Sequence, residues 1–400
     1  MMTSFDFYPG DRVLKPWILP EYPDCPVYAL IPSGYDPGQP IGLFFFMHGG
    51  DRYSTPDQPY KSYLNPETGG LRPHIDHIPF ITVAPAAMPA VDGKRWNRAG
   101  VSDFILAVIE DVCRKFNIDR DRIILGGHSM GGFGAYHQGT LLADRFAGVC
   151  LSAGAWFEED FKGFLGTPVY IMHGKYDCAR HYSAPHPEPR HHDWCGVSFA
   201  RAAHELMLRD GVEHVYDEHD GGHSLGWEPT QMALTRFLRW AARQKRAPYA
   251  PRCAVITPNG SCDPDLERNL KSRYLEILET VPGGRIELDK ICLTGPNIAW
   301  TIDEFEAQDF YLKKVAYEGA RLTAENLGGN RFRFHAENVG KFLCRLHPAM
   351  ADLSAPLTIE VNGRSLTLRA DADTSYPDYT AKITVEPDKF SRDFQNDVGE

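Results

Sequence analysis

The chain has 400 residues, enough for two domains and a sizeable core, and its 43% apolar and 24% charged content is that of an ordinary soluble globular protein rather than a disordered or fibrous one. A formal net charge of −11, with no long Lys/Arg run to offset it, argues against a nucleic-acid or anionic-membrane partner. The nine cysteines are scattered without a C-x-x-C pair, and the start, Met1-Met2-Thr3-Ser4-Phe5-Asp6-Phe7, shows no basic stretch leading into an apolar one. Both features point to reduced thiols in a cytoplasm rather than to a secreted disulfide framework.

Residues 1–25 are rich in proline and aromatics and read as an irregular arm or first edge strand. Residues 27–31 form a short strand closed by a dense turn signal at 32–38. The run at 41–47 is continuously apolar, too short to span a membrane but right for a strand buried on both faces of a helix-covered parallel sheet. It ends in His48-Gly49-Gly50. Residues 53–73 read as a polar surface loop and 80–84 as a strand. In 101–116, Phe104, Ile105, Val108, Ile109, Val112 and Phe116 recur at helical spacing, the mark of an amphipathic helix.

The next stretch organises the chain. Ile123, Ile124 and Leu125 make a buried strand that breaks at Gly126-Gly127, and the chain resumes as a helix from about Phe133. Between them lies Gly127-His128-Ser129-Met130-Gly131, a G-x-S-x-G motif in the strand–turn–helix setting of a nucleophile elbow. Glycines belong there because a serine projected from a very tight turn needs neighbours without a Cβ. Strands follow at 148–152 and 167–173, the second leading through His173-Gly174-Lys175-Tyr176 to Asp177. A long insertion, 178–195, carries His181, His186, His191 and His192. After a helix at 199–208 and a strand at 214–218, the loop Gly221-Gly222-His223 precedes a final helix at 230–243.

The order strand, helix, strand, elbow, helix predicts a doubly wound, mostly parallel α/β sheet, and the order Ser129, Asp177, His223 is that of an α/β-hydrolase triad. A serine hydroxyl attacks well only when a base removes its proton, the task of His223; Asp177 would fix the imidazole tautomer and stabilise its cation. Backbone N–H groups of Met130, Gly49 and Gly50 are the expected oxyanion donors. His128, His192, Trp194 and Trp227 are the candidate substrate contacts. Asp217 and Asp220 also lie close to His223 along the chain but read as strand-end and turn residues. His191-His192-Asp193 with Cys195 looks ligand-like yet matches no structural zinc spacing, so neither metal nor cofactor is expected.

These segments, from the tyrosine–proline turn before residue 38 through His48-Gly49-Gly50, the Ser129 elbow, Asp177 and the His223 loop, resemble the serine esterases grouped with esterase D, feruloyl and acetylxylan esterases and polyhydroxybutyrate depolymerases. They resemble the catalytic domain of prolyl oligopeptidases more distantly. The likeness covers about residues 25–245 and implies hydrolysis of a small-molecule or carbohydrate ester through an acyl-enzyme. A peptidase of the prolyl oligopeptidase kind is the enzymatic rival; its propeller would precede a catalytic domain that here begins by about residue 25. A hydrolase fold turned binding protein is the other rival.

Residues 247–252, rich in proline, form a boundary that divides the chain into a hydrolase domain, 1–247, and an accessory domain, 253–400. Beyond it, 274–280, 285–288, 331–336 and 357–361 alternate apolar with polar residues, the signature of half-buried strands. Asn362-Gly363 signals a tight hairpin. Further strands at 342–346, 365–368 and 380–385 complete a small antiparallel β-sandwich. Its role is open between shaping the pocket, forming a homo-oligomer and holding a glycan. Trp300 and the tyrosines there read as core.

Overall fold

The computed structural model describes residues 6–50, 54–91, 95–177, 195–258, 269–294, 307–373, 375 and 378–388. The first half is built on a seven-stranded sheet of β1 (Val27–Leu30), β2 (Ile41–Met47), β3 (Phe80–Pro85), β4 (Ile118–His128), β5 (Gly148–Ser152), β6 (Val169–Gly174) and β7 (His214–His219). The spatial order is β1-β3-β2-β4-β5-β6-β7. Every pairing is parallel except that of β1 with β3. Its helices are the single turn α1 (Arg72–Ile75), then α2 (Val101–Lys115), α3 (Met130–Leu141), α4 (Val197–Asp210) and α5 (Glu228–Ala241). Among the described residues, no helix is long and apolar enough to cross a membrane.

The apolar run of β2 shows why the sheet is covered twice. Leu43, Phe45 and Met47 join one core with α2, α3 and α4, whereas Phe44 and Phe46 join a second core with α5. The period-two geometry of a strand sends neighbouring side chains to opposite faces, so a strand without polar positions must be sandwiched. Phe237 on α5 is 1% exposed against Phe44 and Tyr170. Burying one such ring is worth about 2–3 kcal/mol.

The second half is β-structure: β8 (Arg252–Thr257), β9 (Lys271–Ser272), β10 (Leu275–Thr280), β11 (Arg285–Thr294), β12 (Asp309–Glu318), β13 (Ala320–Gly328), β14 (Arg331–Glu337), β15 (Val339–Leu346), β16 (Leu357–Val361), β17 (Arg364–Leu368), β18 (Asp371–Ala372) and β19 (Ala381–Val385). Two five-stranded sheets, β18-β19-β15-β10-β9 and β17-β16-β14-β13-β8, enclose one core that includes Tyr274, Phe332, Phe334 and Phe342. The β16–β17 hairpin turns at Asn362 and Gly363, both at positive φ (48° and 83°), the backbone that an Asn-Gly pair favours.

One feature departs from a purely antiparallel arrangement: β14 and β16 run parallel. The intervening β15 belongs to the opposite sheet, so the chain crosses over and returns in its original direction. The strands β8, β9, β12, β13 and β18 were not among those read from the sequence. The hairpin β11–β12 stands apart from both sheets, and its Ile286, Leu288 and Ile291 join the core of the first half alongside Leu206 and Met207 of α4.

Candidate active site

Ser129 sits between β4 and α3 at φ 57°, ψ −120°, a conformation an L-residue holds only when its surroundings impose it. Those surroundings are close-packed backbone. A Cβ on Gly131 would lie 1.9 Å from the Met47 carbonyl oxygen, so glycine alone permits the turn against the end of β2. Ser129 N–H donates to the Ser152 carbonyl at the end of β5 (3.0 Å), which ties the turn to the sheet.

Asp177 follows the end of β6 and His223 the end of β7, so all three side chains gather at the carboxyl edge of the parallel sheet, where open α/β sheets present their sites. Ser129 Oγ lies 2.8 Å from His223 Nε2. His223 Nδ1 lies 2.9 Å from Asp177 Oδ2 and 3.0 Å from Oδ1. An ionised carboxylate only accepts, so the imidazole proton resides on Nδ1 and the Nε2 lone pair faces the serine hydroxyl. Asp177 is 1% exposed. Burial alone would raise its pKa. The neighbouring His223 and the hydrogen bonds from His173 and His223 outweigh that and hold it at about 2.

His173 is a partner that its place four residues before Asp177 signalled without fixing. Its Nε2–H reaches both Asp177 Oδ2 (3.0 Å) and the Cys195 carbonyl (2.8 Å), and it is itself 1% exposed. Asp217 and Asp220 have other partners: Asp217 binds Arg236 (2.6 Å) and Tyr170, and Asp220 binds Lys175.

The turn after β2 is held from two sides. His48 accepts the Ala87 N–H at Nε2 (2.9 Å), which leaves its proton on Nδ1, 2.8 Å from the Gly49 carbonyl. Burial depresses the pKa of His48 to about 4, so the ring stays neutral. A trans peptide points its N–H opposite to its C=O, so this bond orients the Gly50 N–H away from His48. Gly49, by contrast, gives its own N–H to the Tyr63 hydroxyl (2.8 Å). That bond occupies one of the three anticipated donors and leaves Met130, at the positive N-terminal end of α3, and Gly50, at φ 135°. Tyr63 lies in the stretch 53–73, which reads from the sequence as a surface loop able to border the site; it does border it, but Tyr63 itself is buried.

His128 is buried, with Nδ1 3.1 Å from Ser152 Oγ and its ring 5.2 Å from that of His223. A cavity of about 380 Å³ opens beside His128, His223 and Gly50, with Gln58, Ser62 and Leu225 on its walls. Trp227, which caps the N-terminus of α5, is not among the residues lining it, although Leu225 and Gly226 just before it are. His192 and Trp194, with the rest of residues 178–194, and Trp300 lie outside the described residues. A larger cavity, about 460 Å³, opens at the opposite end of the strands from Ser129, between Pro32, Ile41 and Arg122.

No family model matches the chain. It is similar to esterases, the group its motifs resemble. In particular, 161 residues, 40% of the chain, are 27% identical to a bifunctional acetylxylan esterase/xylanase of Neocallimastix patriciarum, of whose length the match spans 22%. Among solved structures, a ferulic acid esterase is 16% identical at a TM-score of 0.44, covering 58% of this chain and 98% of that one. An S-formylglutathione hydrolase from Agrobacterium tumefaciens is 13% identical at a TM-score of 0.43, covering 60% of this chain and 98% of that one.

Proposed function

We propose that residues 1–247 form an α/β-hydrolase domain that cleaves carboxylic esters through an acyl-enzyme, and that residues 253–400 form an accessory β-sandwich. The observation that carries this reading is the continuous hydrogen-bonded chain from Ser129 Oγ through His223 to the buried Asp177. In this reading His223 Nε2 takes the Ser129 proton as Oγ attacks the ester carbonyl, and Asp177 stabilises the imidazolium. The N–H groups of Met130 and Gly50 receive the oxyanion, each such donor being worth about 3 kcal/mol. His223 then returns the proton to the leaving alcohol, and water repeats the cycle on the acyl-serine.

The preferred substrates are acetyl or feruloyl esters of carbohydrates. Two observations support that class: the relative's acetylxylan esterase name, and a cavity whose Gln58, Ser62, Thr68 and Ser224 offer hydrogen bonds to a hydroxylated alcohol. The test is hydrolysis of p-nitrophenyl acetate, methyl ferulate and acetylated xylo-oligosaccharides, with a proline-peptide anilide in parallel, by wild type and Ser129→Ala. Loss of the serine is expected to lower kcat by about 10⁴-fold or more on the esters. Equal rates in the two proteins would end the esterase reading, and cleavage of the anilide alone would replace it with a peptidase.

A further inference from the structure

One flank of His223 faces a thiol. Cys195 Sγ lies 3.7 Å from His223 Nδ1, the nitrogen that Asp177 Oδ2 approaches at 2.9 Å. The three potential ligand atoms all fall within 4.8 Å of one another. A tetrahedral zinc ion, about 2.3 Å from sulfur and about 2.0–2.1 Å from nitrogen and oxygen, sets its ligand atoms roughly 3.3–3.6 Å apart. The Cys195–His223 separation already fits that spacing, and the His223–Asp177 separation need open by only about half an ångström.

We propose that Asp177, Cys195 and His223 form an inhibitory site for a thiolate-seeking divalent cation, zinc above all. The ion takes the Nδ1 lone pair of His223, and the imidazole proton passes to Nε2. The Cys195 thiol releases its proton to solvent, and nothing is oxidised or reduced. Thiolate and carboxylate together cancel the two positive charges, so the complex is neutral in a half-enclosed site. His173, through its Nε2–H on Asp177 Oδ2, holds the carboxylate from behind, as outer-shell partners of metal ligands do. Asp177 is buried, but Cys195 and His223 are half-exposed, which gives the ion its way in. Magnesium and calcium, which prefer oxygen ligands, are poor occupants.

The consequence for activity rests on the esterase reading; binding of the ion does not. With the proton on Nε2, His223 presents an N–H to Ser129 Oγ and cannot accept the serine proton, so zinc inhibits. The experiment uses the 400-residue chain carrying Ser129→Ala, which keeps the three ligands. It is titrated with Zn²⁺ by calorimetry, and with Co²⁺ while thiolate-to-metal charge-transfer absorption is followed. The expected result is a thiolate band and zinc binding that weakens by about tenfold or more, with loss of the band, when Cys195→Ser is added. In wild type, zinc should suppress ester hydrolysis and a chelator should restore it. Absence of the band, or equal zinc affinity with and without Cys195, overturns the proposal and leaves the esterase reading standing. A Cys195-dependent band in a protein whose wild type cleaves no ester upholds the metal site and removes the functional reading instead.

Discussion

At the scale of single residues, the least expected participant is His173. It donates to the same Asp177 oxygen as His223, so it draws off part of the negative charge that His223 would otherwise meet. Replacing it by phenylalanine keeps the bulk and removes the donor. With one partner fewer, the carboxylate favours a protonated His223 more strongly. His173→Phe should therefore lower kcat by about ten- to a hundredfold with little change in KM, and move the acid limb of the kcat/KM–pH profile upward. A fall in kcat with an unmoved acid limb would reduce His173 to a packing residue. Ser129, Asp177 and His223 were legible in the sequence because each sits in a short glycine-flanked motif just past a strand. His173, Tyr63 and the second bond of His48 were not. Tyr63 and His48 meet Gly49 and Ala87 14 and 39 residues away, distances over which no local pattern speaks, and the four-residue spacing of His173 from Asp177 does not set the ring's direction, which also depends on the Cys195 carbonyl 22 residues on.

At the scale of elements, the carboxyl ends of three parallel strands share a vulnerability. β4 ends in His128, β2 runs into His48 and β7 ends in His219. Burial lowers all three pKa values, to about 3 for His128 and about 4 for His48 and His219. A histidine that resists protonation when folded but accepts a proton near pH 6.5 when unfolded stabilises the fold fully above that pH. The contribution is lost as pH falls toward the folded value. His48 and His128 should each remove about 2 kcal/mol by pH 5. Asp177, held at about 2, acts only lower, between its ordinary value near 4 and about 2. Urea unfolding at pH 8 and pH 5 checks this; equal midpoints would show that these rings titrate freely. The parallel sheet could be read from sequence because β2 is apolar throughout. The hairpin strand β12 could not, since alternation of half-buried and exposed positions gives it little apolar contrast, and the parallel pairing of β14 with β16 depends on a sheet crossing that periodicity does not encode.

At the scale of the whole molecule, the question is whether the two halves unfold as one. The hairpin β11–β12 joins them through buried apolar side chains and through the ion pairs of Arg209 with Asp289 (2.9 Å) and Lys290 with Glu158 (2.6 Å), and the neighbouring β13 adds Arg321 to Asp160 (2.7 Å). Arg321 is the critical member. It comes from β13, its side chain is 12% exposed, and it bridges Asp160 of the first half and Glu337 of the second. Removing it takes the guanidinium from the buried Asp160, which keeps only the more distant Lys162 (3.7 Å), while Glu337, 32% exposed, turns to solvent; the cost therefore falls below the about 3–5 kcal/mol of breaking a fully buried pair. Arg321→Met should accordingly lower the midpoint of a single cooperative transition followed by both tryptophan fluorescence and far-ultraviolet dichroism. Adding Asp160→Asn, which discharges one of the stranded carboxylates, should restore part of the loss. Two separate transitions in the wild type, neither moved by Arg321→Met, would mean that the halves are stable alone and that the ion pairs only decorate their contact. A single transition that shifts and is partly rescued makes the β-structured half part of what keeps the carboxyl edge of the parallel sheet folded.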